Sequence, residues 1–266
     1  PMCQQIEGIP SELRGDAQAT RDPAGRSSRP RPAAADAAAR RDFYRFLAAV
    51  YLGPPEADLL RHILDEDFLE ELSALFGGHG LVMLKEIAAD CQIEETLPSL
   101  RQEYMDLFAV PTGRYVTPFE DVYRGKSPDG VQERGPLLGS RAIAVKRIYR
   151  AAGARMDREC RELPTHVGVE LSFMGLLCAR EAEALRRESE EGRRDPDSSQ
   201  ALESECYREL QGSFLQEHLS VWFPQLSAAV QSCALSSFYQ GLALLTEEFL
   251  VWDAAQLTCR TARATS

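Results

Sequence analysis

The sequence predicts an all-α fold, a single globular domain of roughly ten helices. From Ala37 onward the apolar residues recur with a spacing close to 3.6, which is the repeat of an α-helix. No stretch shows the strict alternation of apolar and polar residues that is typical of a half-buried strand. The chain has 266 residues, of which 44% are hydrophobic. One core larger than that of a simple four-helix bundle is therefore expected.

The two ends of the chain depart from this pattern. Residues 1–35 are rich in Pro, Gly, Ser, Arg and Ala and lack a helical repeat. That composition is typical of a disordered tail, because it cannot bury enough apolar surface to fold. The predicted helical domain spans residues 36–257, and residues 258–266 are expected to fray.

The first predicted helix contains Arg40 and Arg41, a pair that superficially resembles a twin-arginine export signal. The apolar stretch after this pair is short and soon meets Gly-Pro-Pro at 53–55, and no small-residue cleavage site follows. We therefore predict an amphipathic helix over 37–52 instead of a signal. Its apolar face consists of Phe43, Phe46, Leu47 and Val50.

Proline and glycine punctuate the helices that follow. Gly77 and Gly78 are expected to end the third helix, and Pro98 to lie near the start of the helix that leads to Phe108. Pro164 is expected to open the longest strong helix, whose apolar residues lie nearly all around it, as in a central helix. The predicted segments of the C-terminal half are a helix at 137–151, the helix from Pro164, a polar linker at 192–199, and helices at 200–219, around Trp222 and at 238–252.

Charge and cysteine content exclude several functional classes. The net charge is −11, and residues 1–41 carry a net +2, which leaves −13 on the remainder. Such an acidic body does not suit binding to nucleic acid or anionic membranes, but it suits a partner with a basic segment. The seven cysteines and four histidines are scattered. They predict reduced thiols in a cytosolic protein, with no structural metal site.

The most distinctive segment lies at 103–123. An amphipathic helix ends at Leu107-Phe108, and a loop punctuated by Pro and Gly then carries Tyr115, Phe119 and Tyr123. Three aromatic residues on one loop indicate a segment that is either packed back onto the core or offered to a partner.

Three motifs carry a family resemblance. The first is Glu-Tyr-x-x-Leu-Phe at 103–108 followed by Pro-Phe-Glu-Asp-Val-Tyr at 118–123. The second is Leu-Pro-Thr-His-x-x-x-Glu-Leu-x-Phe-Met at 163–174, and the third is Phe-Leu-x-x-His-Leu-x-x-Trp at 214–222. In this order they resemble the TorD/DmsD/NarJ family of redox-enzyme maturation chaperones. Asp121 stands where that family commonly has Ser, and Thr165 where it usually has Asp.

The resemblance implies a TorD-like fold and a cytoplasmic, non-enzymatic chaperone. Its partner would be a molybdopterin oxidoreductase catalytic subunit, bound through its twin-arginine leader or its cofactor-free body until cofactor insertion and export or assembly. A leader of this kind has a basic and an apolar part, so an apolar groove with acidic groups is expected. The predicted peptide-binding residues are Tyr104, Phe108, Pro118, Phe119, Glu120, Asp121, Tyr123, Thr165, His166 and Glu170. No catalytic residue, metal or cofactor is predicted.

Several alternatives stay open at the level of sequence. Tyr104 and Phe108 share a helical face and are compatible with core packing. Thr165 and His166 are placed to satisfy free N–H groups at a helix start. His166 and Glu170 form an i, i+4 pair with the chemistry for acid–base work, but no nucleophile motif, metal cluster or phosphate loop accompanies them.

Two questions about partners also stay open. A NarJ-like adaptor for a molybdoenzyme subunit without an exported leader is the alternative function. The chain is expected to be a monomer or a dimer swapped through a hinge at 109–136 or 189–199. Guanine-nucleotide binding, proposed for some members of the family, has no independent support in this sequence.

Overall fold

The computed structural model describes residues 33–111, 113–126, 132–133, 135–156, 160–192 and 203–264. These residues confirm the all-α prediction, with only a pair of two-residue antiparallel strands, β1 (Gly125–Lys126) and β2 (Gln132–Glu133), beside the helices. Two π-helical turns, Met105–Ala109 and Leu215–Leu219, extend helices. The helices in the described ranges are α1 (Ala33–Leu52), α2 (Ala57–Ile63), α3 (Glu66–Leu75), α4 (His79–Asp90), α5 (Ile93–Tyr104), α6 (Glu120–Tyr123), α7 (Ser140–Ala151), α8 (Val167–Gly192), α9 (Glu203–Phe214), α10 (Ser220–Cys233) and α11 (Ser237–Ala264).

The core forms around three long helices. Helix α1 lies against α8 along most of its length, and α11 packs against α4 and α10. Helix α9 covers another side of α8. Aromatic side chains fill much of the interior, as expected where a few large residues supply most of the buried apolar area. The largest fully buried side chains include Trp222, Tyr44, Tyr51, Phe214, Phe223 and Phe249.

The arginine pair of the first helix belongs to the fold. Arg40 lies inside the bundle, where its guanidinium donates to Asp253 Oδ2 at 2.9 Å and to Glu181 Oε2 at 3.3 Å. Tyr44 Oη donates to the same Asp253 carboxylate at 2.6 Å. Phe43 and the other three predicted apolar residues of this helix are all buried. The amphipathic helix is therefore confirmed, and Arg40 ties α1 to α8 and α11.

Several helix boundaries differ from the sequence prediction. Helix α8 begins at Val167 instead of Pro164, because the turn before it pairs with another segment, and α11 with 28 residues is longer than α8 with 26. Helix α7 begins at Ser140 because Leu138 adopts a left-handed backbone conformation with φ 61°. Pro98 lies inside α5 instead of near its start.

The ends of the described chain also extend beyond the prediction. Helix α1 starts at Ala33, three residues before the expected domain boundary, and α11 continues to Ala264. The predicted disordered tail up to residue 32 and the linker residues 193–199 lie outside the described residues. No helix in the described part is long and apolar enough to cross a membrane.

Helices α4 and α11 touch backbone to backbone. A Cβ added at Gly80 would lie 2.3 Å from the backbone N of Leu245 and 2.6 Å from the carbonyl O of Gly241. Only glycine permits this approach without moving a helix. The contact fixes the start of α4, and with it the turn after α3, against the N-terminal third of α11.

Candidate functional site

The aromatic loop and the turn before α8 are joined by a short antiparallel bridge. Glu120 N donates to Thr165 O at 2.9 Å, and Val167 N donates to Pro118 O at 2.9 Å. Phe119 lies opposite His166 in this bridge, with the two rings perpendicular and their centroids 5.2 Å apart. The first two sequence motifs therefore meet, and the loop is packed onto the core through its backbone.

Glu120 is fully buried at the start of α6, and its carboxylate is contacted by two basic side chains. His218 Nδ1 lies 3.0 Å from each carboxylate oxygen, and because a carboxylate only accepts, Nδ1 carries the proton. Arg124 Nη1 donates to Glu120 Oε1 at 2.5 Å. Burial alone would raise the pKa of Glu120, but the hydrogen bonds from His218 and Arg124 outweigh it and hold the pKa below its ordinary value. Glu120 is therefore a buried carboxylate with its charge compensated.

Glu170, one turn into α8, has the opposite character. Trp222 Nε1 donates to its Oε2 at 3.0 Å. Burial raises the pKa of Glu170 well above its ordinary value, and the negative charge of Glu120 adds to the rise. If Glu170 were ionised, its Oε1 would lack a donor among the described residues. The two carboxyls thus form a pair in which Glu170 holds a proton and Glu120 does not.

The two departures from the family pattern contact each other. Thr165 Oγ1 donates to Asp121 Oδ2 at 2.8 Å, and Asp121 Oδ1 accepts from Ala142 N in the first turn of α7 at 3.3 Å. Both side chains are buried. The carboxylate and the hydroxyl have therefore exchanged places relative to the Ser and Asp that the resemblance leads one to expect. The absence of an acid at position 165 is compensated by the acid at position 121.

His166 closes the start of α8. Its Nδ1 accepts from Gly168 N at 3.1 Å, and burial lowers its pKa to about 3. The imidazole is therefore neutral and acts as an N-cap, which is the structural alternative that the sequence left open. Its acceptor nitrogen is occupied by the backbone, and Glu170 uses Trp222 as its partner, so the pair is not arranged for acid–base work.

The predicted aromatic residues fall into two groups. Tyr104 and Phe108 are buried in the core, where Tyr104 Oη donates to Tyr51 O at 2.9 Å and Phe108 packs against Tyr51. Phe119 and Tyr123 are half-buried. Tyr123 stacks on the buried Trp222 at a centroid distance of 5.6 Å. Of the ten predicted residues, these two are the aromatic ones with accessible surface.

Three residues of this site were not among those predicted. Arg124 and His218 compensate the charge of Glu120, and Trp222 connects Glu170 to Tyr123. Two of them, His218 and Trp222, could have been found from the third motif, in which Phe214, His218 and Trp222 recur every four residues. His218 lies in the second π-helical turn, a feature that is frequent at functional sites.

The bridge, the buried carboxyls around Glu120 and the half-buried rings of Phe119 and Tyr123 form one site, which we call the platform. Few of its polar groups are available to a ligand. The carboxyls of Glu120, Asp121 and Glu170 all point into the protein and have partners there. Helix α7, which receives Asp121 at its start, exposes the cations Lys146, Arg147 and Arg150. Within the described residues no group of His, Cys, Asp and Glu is arranged to hold a metal ion.

Comparison with known proteins places these motifs in a family. Residues 78–228, more than half of the chain, match the family model described as the nitrate reductase delta subunit. The chain is 31% identical over 108 residues to the perchlorate reductase assembly chaperone protein of Dechloromonas aromatica (strain RCB), covering 41% of this chain and 42% of that relative. It is 26% identical over 149 residues to the selenate reductase assembly chaperone protein of Thauera selenatis, covering 56% and 66%.

A third relative covers more of the chain. The chaperone protein TorD of Shewanella pealeana (strain ATCC 700345 / ANG-SQ1) is 22% identical over 223 residues, which is 82% of this chain and 89% of that protein. The matched region thus covers less than two thirds of the length of the first two relatives but most of the length of the third.

Proposed function

Because this chain belongs to the nitrate reductase delta subunit family, the family of the TorD and NarJ chaperones, we propose that it is an assembly chaperone. Its client is the catalytic subunit of a molybdopterin oxidoreductase. The chaperone binds the client in the cytoplasm through its twin-arginine leader or its cofactor-free body, and releases it after cofactor insertion. The observation that carries this proposal is the similarity to three chaperones, two of them named for the assembly of a reductase.

The platform around Glu120 supports a binding role over a catalytic one. Phe119 and Tyr123 are half-buried, and the surface that they leave accessible is offered to an apolar stretch of the client. The bridge to His166 and the stack on Trp222 hold these two rings in place before the client arrives. A preorganised apolar surface loses little conformational entropy on binding, which suits reversible capture of a polypeptide. Pro118, Glu120, Thr165 and His166 position these two rings through the bridge, and Glu170 does so through Trp222. Tyr104 and Phe108 belong to the core instead.

The NarJ-like alternative is favoured by one finding, the description of the matching family as a subunit of nitrate reductase. In that case the client is a molybdoenzyme subunit that is not exported and lacks a functional twin-arginine leader. The two functions differ in whether the arginine pair of the client contributes to binding. A titration with leader peptides that have or lack this pair separates them.

We expect saturable binding when the full-length protein is titrated calorimetrically with the leader peptide of its client. Exchange of the two leader arginines for lysines should weaken binding roughly tenfold, because guanidinium groups bind carboxylates in a bidentate geometry that ammonium groups do not reproduce. Equal affinity for both peptides would support the NarJ-like alternative. Absence of binding to any leader encoded beside this gene would contradict leader recognition.

A further inference from the structure

A second surface, remote in sequence from the aromatic loop, combines apolar and acidic groups. It is an open groove of about 620 Å³ between the turn after α3 and one face of α11. We call it the α11 groove. Its lining consists of Phe76, Gly77, Leu244, Glu247, Glu248, Val251 and Trp252.

The floor of the α11 groove is aromatic and its rim is apolar. The rings of Phe76 and Trp252 lie 5.8 Å apart, and Trp252 stacks on Phe249 at 5.8 Å. Val251 is 68% exposed, and Leu75, next to Phe76, is 49% exposed. Apolar side chains of this size gathered in one exposed concave patch indicate an interaction surface.

Two consecutive carboxylates, Glu247 and Glu248, line the same groove. Glu248 Oε1 accepts from Gly80 N at 3.2 Å, a bond that fixes the carboxylate at the start of α4. Its Oε2 is buried and has no hydrogen-bond partner among the described residues. That oxygen lies against Gly78, so Glu247, which is partly exposed, is the carboxylate that a guanidinium or ammonium group can reach in the groove.

The charges around the two surfaces favour the α11 groove for a basic ligand. At the aromatic loop the three predicted acids are buried and already paired, and helix α7 beside them exposes three cations. At the groove two acids flank an apolar floor. A ligand that has arginines beside an apolar run therefore meets an apolar floor with a reachable carboxylate in the groove, whereas the predicted acids at the loop already have partners.

We propose that the α11 groove binds the basic and apolar segment of the client's leader. The inference rests on the proposed function, and it assigns the arginines of the leader to the side of the groove that carries Glu247 instead of to Glu120, Asp121 and Glu170. The apolar residues after the arginines pack on Phe76 and Trp252. The aromatic loop then binds a different segment of the client.

The test is a set of calorimetric titrations of the full-length protein with the leader peptide. Glu247→Arg reverses a partly exposed charge in the groove and should weaken binding at least roughly tenfold. Glu209→Arg, a matched reversal at an exposed position of α9, should leave the affinity unchanged. Equal thermal midpoints of the two variants would show that each is folded.

The possible results separate the two proposals. Binding by the unmodified protein together with an unchanged affinity of Glu247→Arg would overturn the α11 groove as the leader site but keep leader recognition. Absence of binding by the unmodified protein would overturn both.

A photo-crosslinking amino acid at Val251 provides a second readout, with the same group at the exposed Val221 of α10 as control. We expect the Val251 position to capture the leader peptide and the Val221 position not to. Capture of residues 1–32 of the chain itself, or of a second copy, in the presence of saturating leader would overturn the assignment of the groove to the client.

Discussion

Replacement of Glu120 by glutamine is expected to destabilise the protein by about 3–5 kcal/mol at neutral pH. The change leaves the volume of the side chain almost unaltered but removes the negative charge between His218 and Arg124. His218 remains buried and Arg124, whose side chain is 16% exposed, remains beside a neutral amide, while Nδ1 of His218 loses one of its two acceptor oxygens. Breaking a buried pair by removing one member is costly because the other charge stays uncompensated.

Replacement of Glu170 by glutamine, in contrast, is expected not to destabilise the protein. Glu170 already holds a proton, so glutamine reproduces its uncharged form, and the amide oxygen still accepts from Trp222. The pKa of Glu170 is raised in the folded protein, so its contribution to stability is present at low pH and is lost as the pH rises above the ordinary value for glutamic acid. Glu170→Gln should therefore be neutral at pH 5 and increasingly more stable than the unmodified protein towards pH 9.

Urea denaturation followed by circular dichroism at pH 5, 7 and 9 measures both effects. The unmodified protein is the reference at each pH, and the slope with urea should not change if the variants fold alike. A loss of stability for Glu170→Gln similar to that for Glu120→Gln would contradict the assignment of the proton to Glu170.

The second large effect is expected at Asp121 and Thr165. Thr165→Asp places a second carboxylate against Asp121 in a buried site and should cost about 3 kcal/mol or more, because two adjacent buried carboxylates do not both ionise. Asp121→Ser leaves Thr165 and the N–H of Ala142 with a weaker acceptor and should cost about 1–3 kcal/mol.

The double variant Asp121→Ser with Thr165→Asp restores one carboxylate and one hydroxyl in exchanged positions. We expect it to be more stable than Thr165→Asp alone, with a coupling energy of about 2 kcal/mol, near the upper end for residues in contact. It should not recover fully, because the carboxylate that accepts from the start of α7 has moved. Additive costs of the two single changes would show that the two departures from the family pattern are independent.

Much of the helical fold follows from the sequence because apolar spacing near 3.6 is a local signal. The face formed by Phe43, Phe46, Leu47 and Val50 is buried as predicted. The π-helical turn at Leu215–Leu219 was not predicted, since one extra residue in a turn shifts the helical phase without changing composition. The start of α8 moved from Pro164 to Val167 because residues from the aromatic loop pair with the turn, and such pairing is a tertiary effect.

The grouping of part of the candidate site was predictable, but Arg124, His218 and Trp222 were not among the predicted residues. The motifs identified Glu120, Thr165 and Glu170 as a group, and the structure brings them together. Their burial was not predictable, because the partner of Glu120, His218, lies 98 residues further along the chain. The α11 groove carried no motif at all. It depends on the approach of Gly80 to α11, which no local pattern records.

Under the proposed function, this protein holds a molybdopterin oxidoreductase subunit before its cofactor is inserted. The experiment is to purify the tagged full-length protein from its own host, grown with and without synthesis of the molybdenum cofactor, and to identify the captured proteins by mass spectrometry. We expect a molybdopterin oxidoreductase catalytic subunit to be captured without cofactor, and in larger amount when cofactor synthesis is blocked. Capture of no such subunit in either condition, or of the cofactor-loaded subunit alone, would contradict the proposed chaperone function.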